Sequence, residues 1–199
     1  MVQKLNSLVE SASQTAGPYV HIGCMPSYAG NAGAYDCEIG ESPIAEGAKG
    51  EIIEITGEVI DGTAWALRDA MLESWQPDAA GKFPGQPGAD PNVSGFCRFA
   101  VDPDIGKFTL RTVKPGAVTT RNGAMQAPHI SLWIVARGIN IGLQTRIYFE
   151  DEDNSSDPLL ARIEQKNRLG TLVAKKSGPG QYAFDVVLQG DRETVFLDI

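Results

Sequence analysis

Apolar and polar residues alternate along this chain over short runs, and each run ends in turn-forming residues. Residues 51–60 alternate loosely and stop at Asp61-Gly62, and residues 96–101 stop at Asp102-Pro103. Residues 107–113 place Phe108, Leu110 and Thr112 on one face before Pro115-Gly116. Runs at 130–136, 144–149, 170–174, 182–189 and 193–198 continue the pattern. In residues 65–75 apolar side chains fall at both helical and strand spacings, and the flanking turns Asp61-Gly62 and Gln76-Pro77 favour a strand. Residues 159–166 predict a helix, with Asp157 as its cap and Pro158 in its first turn. Residues 28–50 are rich in Gly and Ala, lack a period and read as a surface loop. Many short strands with closely spaced turns imply a mainly β fold, an antiparallel β-sandwich core with short helices and long loops.

Composition adds limits to that picture. A chain of 199 residues can bury roughly 70% of its unfolded surface in one core. No repeat or composition break marks a linker, so the expectation is one domain over residues 1–199, with a sandwich core from residue 51 onward. With 22 Gly and 12 Pro, long helices have little room. The net charge of −8 argues against nucleic acid and anionic membranes, which reward clustered Lys and Arg. Residues 1–13 hold no apolar run of signal-peptide length, and no stretch approaches the ~20 apolar residues of a membrane span. Cys24, Cys37 and Cys97 are odd in number and widely spaced, which fits reduced thiols in a cytoplasmic protein better than a disulfide framework or a zinc site.

Few residues carry chemistry by themselves. A two-histidine, one-carboxylate iron site would need both His21 and His129, and nothing in the sequence places a carboxylate with them. Nucleophile elbows, phosphate loops and dinucleotide fingerprints are absent. The acidic run at residues 150–153 reads as a solvated turn. Arg137 ends the apolar run 132–136 and is followed by Gly138. It is either a surface charge with a packed stem or a bidentate carboxylate binder, and composition leaves both open.

An ordered set of segments resembles the intradiol ring-cleaving dioxygenases. It comprises Ser13-Gln14-Thr15-Ala16-Gly17-Pro18-Tyr19, then Leu72-Glu73-Ser74-Trp75-Gln76-Pro77-Asp78 with Gly81-Lys82-Phe83. Thr112-Val113-Lys114-Pro115-Gly116, Ala127-Pro128-His129-Ile130, Ala136-Arg137-Gly138 and Glu193-Thr194-Val195-Phe196 follow in the same order. Heteromeric members of that family pair two homologous subunits, α and β. The β type holds Fe(III) through two tyrosinates and two histidines, the hard phenolate oxygens stabilising the ferric state. At the matching positions this chain has Phe83, Val118, His129 and Ser131, so three of the four ligands are missing. The resemblance therefore implies an α-type chain that binds no metal, lacks catalytic residues of its own and depends on a β-type partner for iron.

It also implies that Thr15, Pro18, Tyr19 and Arg137 face the partner's pocket and contact substrate, while residues 1–50 pack on or reach to the partner. The implied assembly is an α/β heteromer of higher order. The implied reaction inserts O2 between the hydroxyl-bearing carbons of 3,4-dihydroxybenzoate. A related anionic catechol as substrate, or a β-sandwich binding module without catalysis, are the competing readings.

Overall fold

The computed structural model describes residues 14–17 and 19–198. A short helix α1 (Tyr19–Cys24) precedes a long irregular stretch that leads into β1 (Ile52–Gly57) and β2 (Val59–Ile60). Then follow β3 (Met71–Trp75), β4 (Phe96–Ala100), β5 (Phe108–Val113), the small hairpin β6 (Val118–Thr119) and β7 (Met125–Gln126), β8 (His129–Val135) and β9 (Leu143–Phe149). Helix α2 (Pro158–Arg162) and a 3₁₀ turn (Lys166–Leu172) lead to β10 (Val173–Gly178), β11 (Gln181–Ala183) and β12 (Val186–Val187).

Eight strands form one sheet in the order β4-β3-β8-β9-β10-β11-β1-β5. The sheet curls until its edge strands approach, with the Phe99 and Phe108 rings 5.8 Å apart. Alternation does what the sequence pattern implies. Ile53 and Ile55, Leu110, Ile130, Leu132 and Ile134, and Ile147 and Phe149 all point into one core.

The mainly β expectation holds, but the sheet is mixed rather than antiparallel. Strands β1 and β11, β9 and β10, and β2 and β12 pair in parallel. The connection from β9 to β10 runs through α2 and the 3₁₀ turn, long enough to bring the chain back in the same direction.

Local differences have local causes. Residues 65–70 form a turn, because the Asp61 carboxylate accepts from Thr63 N (2.8 Å) and Trp65 N (3.0 Å) and Ala64 adopts φ 64°. Residues 170–172 belong to the 3₁₀ turn, so the strand begins at Val173. Residues 193–198 form no strand. They are tied by single bonds instead, Thr194 N to Val187 O and Leu197 N to Gln144 O, both 2.8 Å. Helix α2 stops at Arg162 instead of continuing to residue 166, and Lys166 Nζ folds back onto Leu160 O and Ala161 O. The acidic run is not simply solvated. Asp151 and Glu152 pair with Lys114 at 3.1 and 2.7 Å, and Asp151 also pairs with Lys176 at 2.7 Å, joining the ends of β5, β9 and β10.

Asp157 ties two segments together outside the sheet. It is fully buried and caps α2 by accepting from Leu159 N (2.8 Å) and Leu160 N (3.1 Å). It also accepts from Ala127 N (2.9 Å) and Tyr148 Oη (3.3 Å), which fastens α2 to the segment before β8. Asp157→Ala removes a cap and orphans two further buried donors. It should destabilise the protein by about 3 kcal/mol and lower Tm by roughly 10 °C in calorimetry, whereas a loss under about 1 kcal/mol would contradict this role.

Candidate functional site

The residues singled out from the sequence fall into two groups at opposite ends of β8. The first surrounds the start of the strand. On its outward face Ser131 lies between Trp75 on β3 and Arg146 on β9, and His129 lies opposite Tyr148. The Phe83 ring stacks on Trp75, centroids 5.8 Å apart and planes at 12°.

Two glycines bring the Phe83 and Val118 loops together. A Cβ on Gly81, which has φ +74°, would sit 1.9 Å from Ala117 O, and one on Gly116 would sit 2.5 Å from Ala79 O. Val118 is buried and pairs with Gln126, just ahead of His129. Gln76 braces the same corner from inside, accepting from Thr112 Oγ1 (2.9 Å) and donating to Val113 O (2.8 Å). The Trp75–Asp78 and Gly81–Phe83 motifs are therefore architectural as well as diagnostic.

All four positions expected to mark a metal site thus gather at this end. Their donors do not fit ferric iron. Phe83 and Val118 offer no lone pair, Ser131 offers a neutral hydroxyl, and among the described residues no group of three or more His, Cys, Asp or Glu could hold a metal ion. His129 is buried and its Nδ1 donates to Ala127 O at 2.8 Å, leaving Nε2 as an acceptor. Burial, helped by the Arg146 charge, pushes its pKa down to about 4, so the ring is neutral at pH 7. Arg146 had no signal in the sequence beyond the alternation that puts it on the same face as Ser131. Its Nη1 lies 3.4 Å from Tyr148 Oη. A shallow groove of about 350 Å³, lined by Trp75, Phe96, Ser131 and Trp133 among others, opens beside this cluster.

The second group lies at the far end of β8, past Val135. Six residue steps from His129 to Val135 span about 20 Å, so no substrate-sized molecule touches both groups within one chain. Here Thr15 Oγ1 accepts from Gly138 N (2.7 Å) and lies 3.3 Å from Ala136 O, bracketing Arg137. Arg137 leaves 77% of its side chain exposed, and its Nε sits 3.3 Å from Asp69 Oδ2. Tyr19 opens α1 and is 80% exposed. Pro18 lies outside the described residues.

The structure thus ties Thr15 to the backbone on either side of Arg137 and leaves Tyr19 exposed on α1. It gives Thr15 a backbone-holding role that the sequence reading, which had its hydroxyl facing substrate, did not contain. Trp65, Ile105 and Ile141 protrude from loops 61–70, 101–107 and 136–142 at the same end, an apolar surface of the kind that marks association. His21, on α1, is buried against the Tyr28 ring with centroids 5.2 Å apart. Burial lowers its pKa and the Asp69 charge opposes that.

The fold is shared with solved intradiol ring-cleavage dioxygenases. The chain superposes on an intradiol ring-cleavage dioxygenase from Tetranychus urticae with a TM-score of 0.57 at 18% identity, covering 78% of this chain and 90% of that one. A dioxygenase family profile matches residues 25–190, and the chain belongs to that family. Within it, the chain is 45% identical to the protocatechuate 3,4-dioxygenase alpha chain of Pseudomonas putida, over 96% of this chain and 97% of that one. Identity to the alpha chain of Burkholderia cepacia is 39%, over 98% and 100% of the two chains. The beta chain from Burkholderia cepacia is 28% identical, over 79% of this chain and 73% of its own length.

The buried neutral His129 sets a pH dependence. Its folded pKa lies below the unfolded value of about 6.5, so between those values the unfolded chain binds the extra proton and stability falls as pH falls. Urea midpoints should therefore decline between pH 6.5 and about 4, by on the order of 3 kcal/mol in total. His129→Gln should flatten that slope, and an unchanged slope would show that His129 does not set it.

Proposed function

We propose that this chain is the non-iron-binding α subunit of a protocatechuate 3,4-dioxygenase and completes the active-site pocket of a homologous β-type chain that holds Fe(III). The assembled enzyme converts 3,4-dihydroxybenzoate and O2 into 3-carboxy-cis,cis-muconate, with both oxygen atoms entering the product. The observation that carries this reading is the two-ended layout along β8. One end has the metal corner without metal donors. The other presents Arg137 and Tyr19 outward amid exposed apolar side chains. Likeness over nearly the full length to alpha chains, and weaker likeness to a beta chain, supports a heteromer of related subunits.

The metal chemistry, Lewis-acid activation of a catecholate, belongs to the partner. The work of this chain is recognition and closure. Arg137 puts a guanidinium where the substrate carboxylate arrives, which a chain of net charge −8 must do locally. Tyr19 adds a hydroxyl donor, and Pro18 adds a rigid apolar edge. Trp65, Ile105 and Ile141 become buried against the partner and exclude water. We place the assembly, several α/β units built from single-domain chains, in the cytoplasm, where the free thiols Cys24, Cys37 and Cys97 stay reduced.

Purifying the chain alone and co-expressed with a β-type partner tests this. The isolated chain should carry no stoichiometric iron and show no oxygen uptake with 3,4-dihydroxybenzoate, while the complex should do both. Arg137→Ala in the complex should lower kcat/KM on the order of 10- to 100-fold, the loss expected for a charge-assisted hydrogen bond. Stoichiometric iron on the isolated chain, or an unaffected variant, would defeat the assignment. Profiling the complex with sulfonated catechols separates the protocatechuate reading from its relatives.

A further inference from the structure

We propose that Asp69 and Thr15 are positioning residues that hold Arg137 ready for a substrate carboxylate, an inference that rests on the pocket reading above. The argument begins with strand register. Strands β3 and β8 pair antiparallel with Met71 opposite Val135. Continuing that register two residues beyond the strands places Asp69 opposite Arg137. Side chains directly opposite in this way are close neighbours. The ion pair forms there, with Arg137 Nε 3.3 Å from Asp69 Oδ2 as its closest contact. A carboxylate engaged on the Nε side leaves the outer edge of the guanidinium, with Nη1 and Nη2, directed away from it. That edge has the fork geometry that grips a second carboxylate with two bonds.

Thr15 acts on the backbone beneath. Its hydroxyl accepts from Gly138 N at 2.7 Å, and its one proton is shared between Ala16 O at 3.2 Å and Ala136 O at 3.3 Å, so the backbone beside Arg137 is tied to this side chain. Ala136 is buried, which fixes the near side of the turn. An arginine on an exposed turn would otherwise sample many rotamers. Here its flanking backbone is held and its Nε is paired with Asp69.

Asp69 is itself half-buried. Among the described residues its buried Oδ1 has no hydrogen-bond partner, nor has the buried Nε2 of His21, a residue on which its charge acts. The acidic side chain therefore has two neighbours to serve, α1 through His21 and the pocket through Arg137. A purely structural Asp69 would serve the first alone, and the experiment separates the two.

The assembled α/β enzyme is tested with Asp69→Asn, which keeps size and loses charge, and with Thr15→Val and Thr15→Ser. Asp69→Asn and Thr15→Val should each raise KM for 3,4-dihydroxybenzoate roughly three- to ten-fold, with kcat changed less than about two-fold. Thr15→Ser, which keeps the hydroxyl, should restore KM. Competitive inhibition by 3-hydroxybenzoate should weaken in parallel, while inhibition by phenol, which has no carboxylate, should not change. Asp69→Asn combined with Arg137→Ala should be no worse than Arg137→Ala alone.

Equal weakening toward phenol and 3-hydroxybenzoate would mean a structural role and overturn the proposal. So would unchanged KM in Asp69→Asn and Thr15→Val when Arg137→Ala is impaired. An unimpaired Arg137→Ala would instead refute the pocket reading on which the proposal rests, and the two failures are distinguishable in one set of assays.

Discussion

Seven residues of extended backbone, His129 to Val135, set the geometry on which everything else in this molecule depends. Strand β8 lies between β3 and β9 and cannot shorten or bend without breaking both ladders. It holds the corner of Phe83, Val118, His129 and Ser131 at one end and the Arg137 turn at the other, about 20 Å or more apart. A site needing features from both ends must take one of them from another chain. On the proposed reading, the separation of the two ends along β8 is what requires a second chain, before side-chain chemistry is considered.

Electrostatics follow the same division. At the metal corner the local charges are the Arg146 guanidinium and the buried Asp157 carboxylate, beside a histidine kept neutral by burial. The corner departs from a metal site in its donor atoms. At the far end the guanidinium of Arg137 is exposed and tethered by Asp69, available to an incoming anion. Arg146, partly buried on β9, and Arg137, exposed in the turn after β8, thus lie in different settings.

Much of this was legible in the sequence, for reasons that are local. Alternation located most strands to within a residue or two, because each has one face in the core. Asp157 was recognisable as a helix cap because its carboxylate precedes a proline that tolerates the first turn. Ordered motifs located the metal corner, and its missing donors were visible as residue identities. What escaped depends on pairing across the chain. The parallel pairs of β9 with β10 and β1 with β11 are set by where connections return, which periodicity does not encode. Residues 65–70 looked strand-like because their apolar side chains fit two periods, and the Asp61 turn decided the outcome. Asp69 carries no motif at all. Only the register of β3 against β8 reveals that it faces Arg137, and only the fold shows that the Thr15 hydroxyl is engaged with the backbone on either side of that arginine.

The claim that this chain is one half of a shared site is tested most directly by reconstitution. Increasing amounts of the purified chain are added to a fixed amount of an iron-loaded β-type chain, and oxygen uptake with 3,4-dihydroxybenzoate is recorded. The account predicts activity that rises from near zero and saturates at one copy of this chain per β-type chain. Full activity of the β-type chain alone, unaffected by the addition, would contradict it.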